Sequence, residues 1–149
     1  YLFMRKINYI VVHCSATREG CTLTSEVLEA EHRRRGFRTT GYHYYIRRDG
    51  TVLGTRSLEL PGAHCRGHNK YSIGICYEGG LDARGNPKDT RTPEQRSALH
   101  LLVYQLLQQF RNARVCGHRD LSPDLDGDGT VEPWEWVKQC PCFEVSKEF

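Results

Sequence analysis

Apolar residues recur along the chain in two rhythms. Residues 7–12 (INYIVV) and 72–77 (SIGICY) are short, nearly continuous apolar runs rich in β-branched side chains, the mark of strands buried on both faces. Residues 40–55 (TGYHYYIRRDGTVLGT) alternate aromatic positions ahead of an Asp49-Gly50 turn signal, which predicts a β-hairpin. Period two would put Tyr42, Tyr44 and Ile46 on one face and His43 and Tyr45 on the other. Leu99, Leu102, Val103, Leu106, Leu107 and Phe110 recur at helical spacing behind Thr92-Pro93-Glu94-Gln95, a threonine cap followed by proline and glutamine. A second helix is predicted over 24–35, with Thr24 as cap, Glu26 in the first turn, Arg33 to Arg35 in the last and Gly36 as stop. Residues 81–91, polar with glycine and proline, read as a surface excursion, and a short strand at 114–116 delivers Gly117-His118. Strand, helix, hairpin, strand, helix and strand in that order predict an α/β fold, a central mixed β-sheet flanked by α-helices. Residues 1–149 read as a single domain, without internal repeat or linker.

Composition narrows the function classes. The chain carries 38% hydrophobic residues and a mean hydropathy of −0.61, and no run approaches the ~18 apolar residues of a membrane helix, so no membrane span is expected. A net charge of +3, without a stripe of basic residues among aromatics, argues against a nucleic-acid partner. Seven cysteines, an odd number with spacing unlike a small disulfide scaffold, predict reduced thiols and one or two metal ligands. Read from Met4, the chain enters a β-like segment with no cleavage site, so no signal peptide is expected and synthesis would be cytoplasmic. Nothing suggests an obligate dimer, and a monomer is expected.

Candidate chemistry gathers in residues 116–143, CGHRDLSPDLDGDGTVEPWEWVKQCPCF. A catalytic zinc site uses three protein ligands and keeps the fourth position open. His13 at one strand exit, His118 at another and a tail cysteine would make such a set. Cys116-x-His118 with Cys140-x-Cys142 could instead form a closed structural site, although that spacing is tighter than usual. Within the same stretch, residues 124–135 follow the calcium-loop pattern. Asp124, Asp126 and Asp128 stand at positions 1, 3 and 5, Gly129 at 6, Thr130 at 7 through its carbonyl, and Glu135 at 12. A calcium-loop-like insertion at 124–135 is therefore expected, with Ca2+ as a possible second ion. His64, His68 and Asn69 lie in the glycine-rich loop 60–69 (LPGAHCRGHN), where binding residues tend to sit.

IVVHCSAT, GYHYYIRRDGTV, GAHCRGHN, SIGICYEGG, the TPEQ-capped helix, CGHRDLSP and KQCPCF occur in an order that resembles the zinc-dependent N-acetylmuramoyl-L-alanine amidases of the bacteriophage-lysozyme type, relatives of the peptidoglycan recognition proteins. The resemblance covers nearly the whole chain. It implies Zn2+ held by His13, His118 and Cys140, catalytic roles for Tyr42 and Lys138, and a substrate groove walled by His64 and Asn69. The implied activity is hydrolysis of the amide between N-acetylmuramic acid and L-alanine, with peptidoglycan muropeptides as substrate and the cell wall, in the periplasm or after lysis, as the place of action. A non-catalytic peptidoglycan-binding module is the alternative. The third ligand, Cys140, favours the enzyme, because binding-only members of the superfamily lack a usable third ligand. The chain departs from the simplest phage enzymes in the nineteen residues between His118 and Lys138, which include the carboxylate loop.

Overall fold

A computed structural model describes residues 5–136 and 138–149. The expectation of a start at Met4 lies outside the described residues. Strand β1 (Tyr9–Cys14) is flanked by β5 (Ser72–Tyr77) and β7 (Arg114–Gly117), both parallel to it. Beyond β5 lie β3 (Tyr44–Ile46), also parallel, and β4 (Val52–Gly54), which closes the predicted hairpin antiparallel to β3. The five-stranded order is β4-β3-β5-β1-β7, a mixed sheet as expected. A two-stranded ribbon pairs β2 (Thr17–Arg18) with β6 (Gly80–Leu81). Helix α1 is Ser25–Arg34 and helix α2 is Pro93–Gln109.

Both faces of the sheet are covered, which explains why β1 and β5 read as continuous apolar runs. Ile10, Val12, Ile73, Ile75 and Tyr77 pack with Leu99, Leu102, Val103 and Leu106 of α2. By alternation, Val11, His13, Ser72, Gly74 and Cys76 turn to the other face, where Cys76 and Tyr45 pack with Leu28 of α1. Thr92 and Gln95 form the expected capping box, and the buried Gln95 amide also donates to the carbonyls of Ile46 and Glu78, at 3.2 and 2.9 Å. Thr24 caps α1 by accepting from Val27 N at 3.2 Å, and Gly36 (φ +95°) turns the chain away through the left-handed region.

Two sequence expectations are corrected. Tyr42 does not share a face with Tyr44 and Ile46; it packs with the Leu28–Tyr45–Cys76 cluster. It precedes β3, where strand alternation no longer applies, and its carbonyl is held by the hydroxyls of Thr40 and Thr55, at 2.9 and 2.8 Å. Residues 81–91 are not wholly a surface excursion either, because Arg91 is buried. Its guanidinium pairs with Asp89 (2.9 Å) and Glu148 (2.6 Å) and lies 3.3 Å from the centre of the Phe143 ring. Phe143 and Val145 are buried in the α2-side core, so this cation pins the C-terminal tail against the sheet.

The Arg91 and His100 contacts hold the Glu148 carboxyl down at about 2, against an ordinary 4.5. A depressed folded-state pKa gives stability that is complete above the unfolded value and lost as pH falls through the folded one. Glu148→Gln should therefore cost roughly 1–3 kcal/mol near neutral pH, a Tm drop of several degrees. That difference from wild type should fade between pH 4.5 and 2 in thermal melts.

Candidate metal centre and its cleft

The register of two neighbouring strands begins the site. Val12 of β1 pairs with Gly117 of β7, so the next residues, His13 and His118, leave the same end of the sheet side by side, with ring centres 4.5 Å apart. His13 is 1% exposed. His118 opens a short 3-10 turn, His118–Leu121, held by Asp120, whose carboxylate accepts the Gly117 N–H at 2.8 Å.

The third arm comes from the tail. Tyr77 donates its hydroxyl to the Pro141 carbonyl at 2.6 Å, and Arg119 N donates to the Cys140 carbonyl at 2.9 Å. These bonds set the Cys140 sulfur 3.1 Å from the Cys14 N–H, which donates to it. Ligand atoms of His13, His118 and Cys140 all lie within 4.8 Å of one another. The closed alternative finds no support among the described residues: Cys116 and Cys142 are in no such group. Cys142 instead sits 4.0 Å from the Cys14 sulfur, and the hydrogen bond to Cys140 pushes the Cys14 thiol up to about 12.

The donors fit a borderline-soft ion such as zinc. Two imidazoles and a thiol make a three-ligand set that leaves one position free. Burial, followed by the neighbouring His64, His118 and Lys138, lowers the pKa of His13 far below the ordinary imidazole value, so the ring is neutral and able to bind metal. The Cys14 N–H bond fixes the position of the Cys140 sulfur beside the two imidazoles.

Two cavities of about 470 and 250 Å³ meet at His64, His118 and Lys138. The larger is also lined by Arg66, Leu121 and Pro123, and the smaller by Tyr42, His13 and Cys140. Lys138 is exposed, placing a cation on both cavities. The Tyr42 ring centre is 5.1 Å from that of His13, and burial beside the thiols of Cys76, Cys140 and Cys14 raises its pKa far above the ordinary value, so it remains a hydroxyl donor.

His64 lines both cavities, but its ring nitrogens are both engaged, Nδ1 with His13 Nε2 at 2.8 Å and Nε2 with Ser72 Oγ at 3.1 Å. Asn69 is not on the cavity wall. Its amide oxygen accepts the N–H groups of His64 and Cys65, both at 2.9 Å, and so shapes the loop behind them. Sequence reading passed over Ser72 and Gly74. A glycine within the buried run SIGIC was the available signal, because it marks close approach of another group to a strand.

The insertion closes on itself. Asp124 accepts the N–H groups of Gly127 (3.1 Å) and Gly129 (2.8 Å), Asp126 that of Asp128 (3.1 Å), and Asp128 that of Thr130 (2.9 Å). Glu135, 3% exposed, accepts from Leu125 and, at 2.8 Å, from Glu132. Carboxylates of Asp124, Asp126 and Glu135 converge, as do those of Asp126, Asp128 and Glu132. Beyond the loop, Trp136 lies under the buried Arg119 guanidinium, 3.9 Å from ring centre to carbon. The insertion therefore ends against the residue that follows His118.

Fold and cleft define an α/β scaffold with a His–His–Cys cluster able to hold a metal ion at the C-terminal edge of a sheet. A sequence profile for the family described as N-acetylmuramoyl-L-alanine amidase matches residues 3–141. An endolysin of Klebsiella phage KP32 is 35% identical over 143 residues, covering 96% of this chain and 85% of the phage protein. The solved N-acetylmuramoyl-L-alanine amidase LysC from Clostridium intestinale superposes with a TM-score of 0.73 at 26% identity, over 97% of this chain and 82% of that one. The fold alone is shared with PGRP-SA of Apis mellifera, TM-score 0.72 at 21% identity over 98% and 82% of the two chains. The chain belongs to the N-acetylmuramoyl-L-alanine amidase family.

Cobalt(II), a spectroscopic stand-in for zinc, separates the cysteines. The wild type should show a thiolate-to-cobalt charge-transfer band near the ultraviolet. Cys140→Ser should abolish it, while Cys116→Ser should leave it intact.

Proposed function

We propose that this protein is a zinc-dependent N-acetylmuramoyl-L-alanine amidase, cleaving the amide that joins the lactyl group of N-acetylmuramic acid to L-alanine in peptidoglycan. The observation that carries this reading is the convergence of His13, His118 and Cys140 beside a cleft that also presents Lys138 and Tyr42. Three ligands with an open position is the catalytic arrangement, and it favours hydrolysis over peptidoglycan binding alone. The family membership and the endolysin relative support the same reading, with the cell wall as the place of action.

When bound, zinc supplies Lewis acidity that brings the pKa of a water toward ~7, so that the nucleophile exists at neutral pH. His13, His118 and the Cys140 sulfur would hold the ion. The Lys138 ammonium, on both cavities, would neutralise the negative charge that develops on the carbonyl oxygen as the amide is attacked. Tyr42, kept protonated by burial, would donate a hydrogen bond to the tetrahedral species and orient the attacking water. The larger cavity beyond His118 has room for substrate next to the ligands.

The carboxylate loop fits a calcium ion through the remaining ligand types. Asp124, Asp126, Asp128, the Thr130 carbonyl and Glu135 hold the calcium-loop positions, and Asp128 beside it raises the Glu132 carboxyl, a sign of crowded negative charge. A calcium ion there would order the connection that ends at Trp136 and leads to Lys138 and Cys140.

Mass spectrometry of digested peptidoglycan tests the activity. The zinc-loaded wild type should release stem peptides with free L-alanine amino termini. His118→Ala should eliminate that release, and Lys138→Ala should cut the rate by about 10²–10³. A zinc-loaded wild type that binds peptidoglycan yet frees no such termini would establish the binding module instead. For the loop, a calcium-selective chelator that leaves zinc in place should lower Tm in the wild type and have no effect in Asp126→Asn. Identical melting of the wild type with and without calcium would refute the calcium reading.

A further inference from the structure

We propose that His64 is a positioning residue for the metal centre: its Nδ1 accepts the Nε2–H of His13, which fixes the tautomer of His13 and makes Nδ1 the metal-binding nitrogen. The proposal rests on the metal reading above and deepens it. The two nitrogens are 2.8 Å apart, and the rings stand at 89° with centres 4.9 Å apart, so one ring edge meets the other. A nitrogen with a hydrogen-bond partner that close has no room for an ion. His13 can then reach a shared ion with His118 and Cys140 only through Nδ1, which must be unprotonated, so its single proton sits on Nε2. His64 must accept that proton at Nδ1, which leaves its own Nε2–H to donate to Ser72 Oγ at 3.1 Å. The result is a directed chain of donors from His13 through His64 to Ser72. Metal-bound histidines commonly donate their second N–H to an oriented partner, usually a carboxylate or carbonyl; here the partner is an imidazole.

The surroundings show that the ring is built in. A Cβ on Gly62 would lie 2.3 Å from His64 Cδ2, and one on Gly74 2.7 Å from both Cδ2 and Cγ. Neither glycine has a left-handed backbone, so what these positions provide is space rather than a turn. Gly74 sits in the middle of buried β5, where a missing side chain weakens a strand unless something occupies the gap. The His64 ring occupies it. Asn69 fixes the backbone from behind through His64 N and Cys65 N. A core position that needed only volume would be filled by leucine, without polar partners at both ring nitrogens.

The test reads protons directly. In metal-free protein carrying ¹⁵N-labelled histidine, long-range ¹H–¹⁵N spectra report which nitrogen of each ring is protonated. His13 should be the Nε2–H tautomer in the wild type. His64→Leu should leave His13 as a mixture of tautomers and weaken zinc, measured by competition with a chelator, by about 10–100-fold. His64→Asn, whose amide oxygen falls near the lost Nδ1, should restore the Nε2–H tautomer and most of the affinity. A packing role alone would leave the tautomer unchanged in the leucine variant. If His64→Leu does not fold, the wild-type spectrum still decides: a His13 protonated on Nδ1 overturns the proposal. Failure of the wild type to bind zinc at all, with His13 still in the Nε2–H form, would instead count against the metal reading.

Discussion

Everything at the site depends on the parallel pairing of β1 with β7 inside a sheet covered on both faces. That pairing brings His13 and His118 out at the same edge, and a slip of one residue would turn either ring to the opposite face. The buried apolar runs of β1 and β5 hold the register, because moving Ile10 or Val12 by one position would expose the sheet to its own polar residues. The C-terminal tail completes the centre only because it is tied to the same strands. Tyr77 holds Pro141, the Cys14 N–H holds the Cys140 sulfur, and Arg91 clamps the chain beyond Phe143.

Parts of this arrangement were legible in the sequence because they follow from local periodicity. The continuous runs became the central strands, and the Thr92–Gln95 cap and its apolar stripe became α2. His13 and His118 stood out as histidines at strand exits, and the motif order named Cys140 among three tail cysteines. What escaped depended on contacts between distant segments. Tyr42 left the predicted face because the chain bends ahead of β3. Arg91 lies in a polar stretch, and its burial follows from pairing with its neighbour Asp89 and with Glu148 on the distant C-terminal tail. Asn69 looked like a groove residue and turned out to be a loop former, since no one-dimensional pattern tells a side chain aimed at a ligand from one folded back on its own backbone.

The insertion between His118 and Lys138 shows how a long connection can be added without disturbing a site. Its aspartates turn the chain through hydrogen bonds to nearby backbone N–H groups, and Gly127 and Gly129 take the left-handed conformation that such turns need. Its exit is held by Trp136 against Arg119, one residue from His118. The excursion therefore returns beside its starting point, and the residues that follow reach the cleft. Within one stretch the His118 imidazole and the Cys140 thiol line the cleft, while the aspartate carboxylates turn the chain.

Anomalous diffraction from zinc-grown crystals, recorded on both sides of the zinc absorption edge, tests the central claim most directly. The account predicts one peak bonded to His13, His118 and Cys140, at about 2.0–2.1 Å to nitrogen and 2.3 Å to sulfur, with His13 contributing Nδ1. A peak held by Cys116, His118, Cys140 and Cys142, or none at this edge of the sheet, would contradict it.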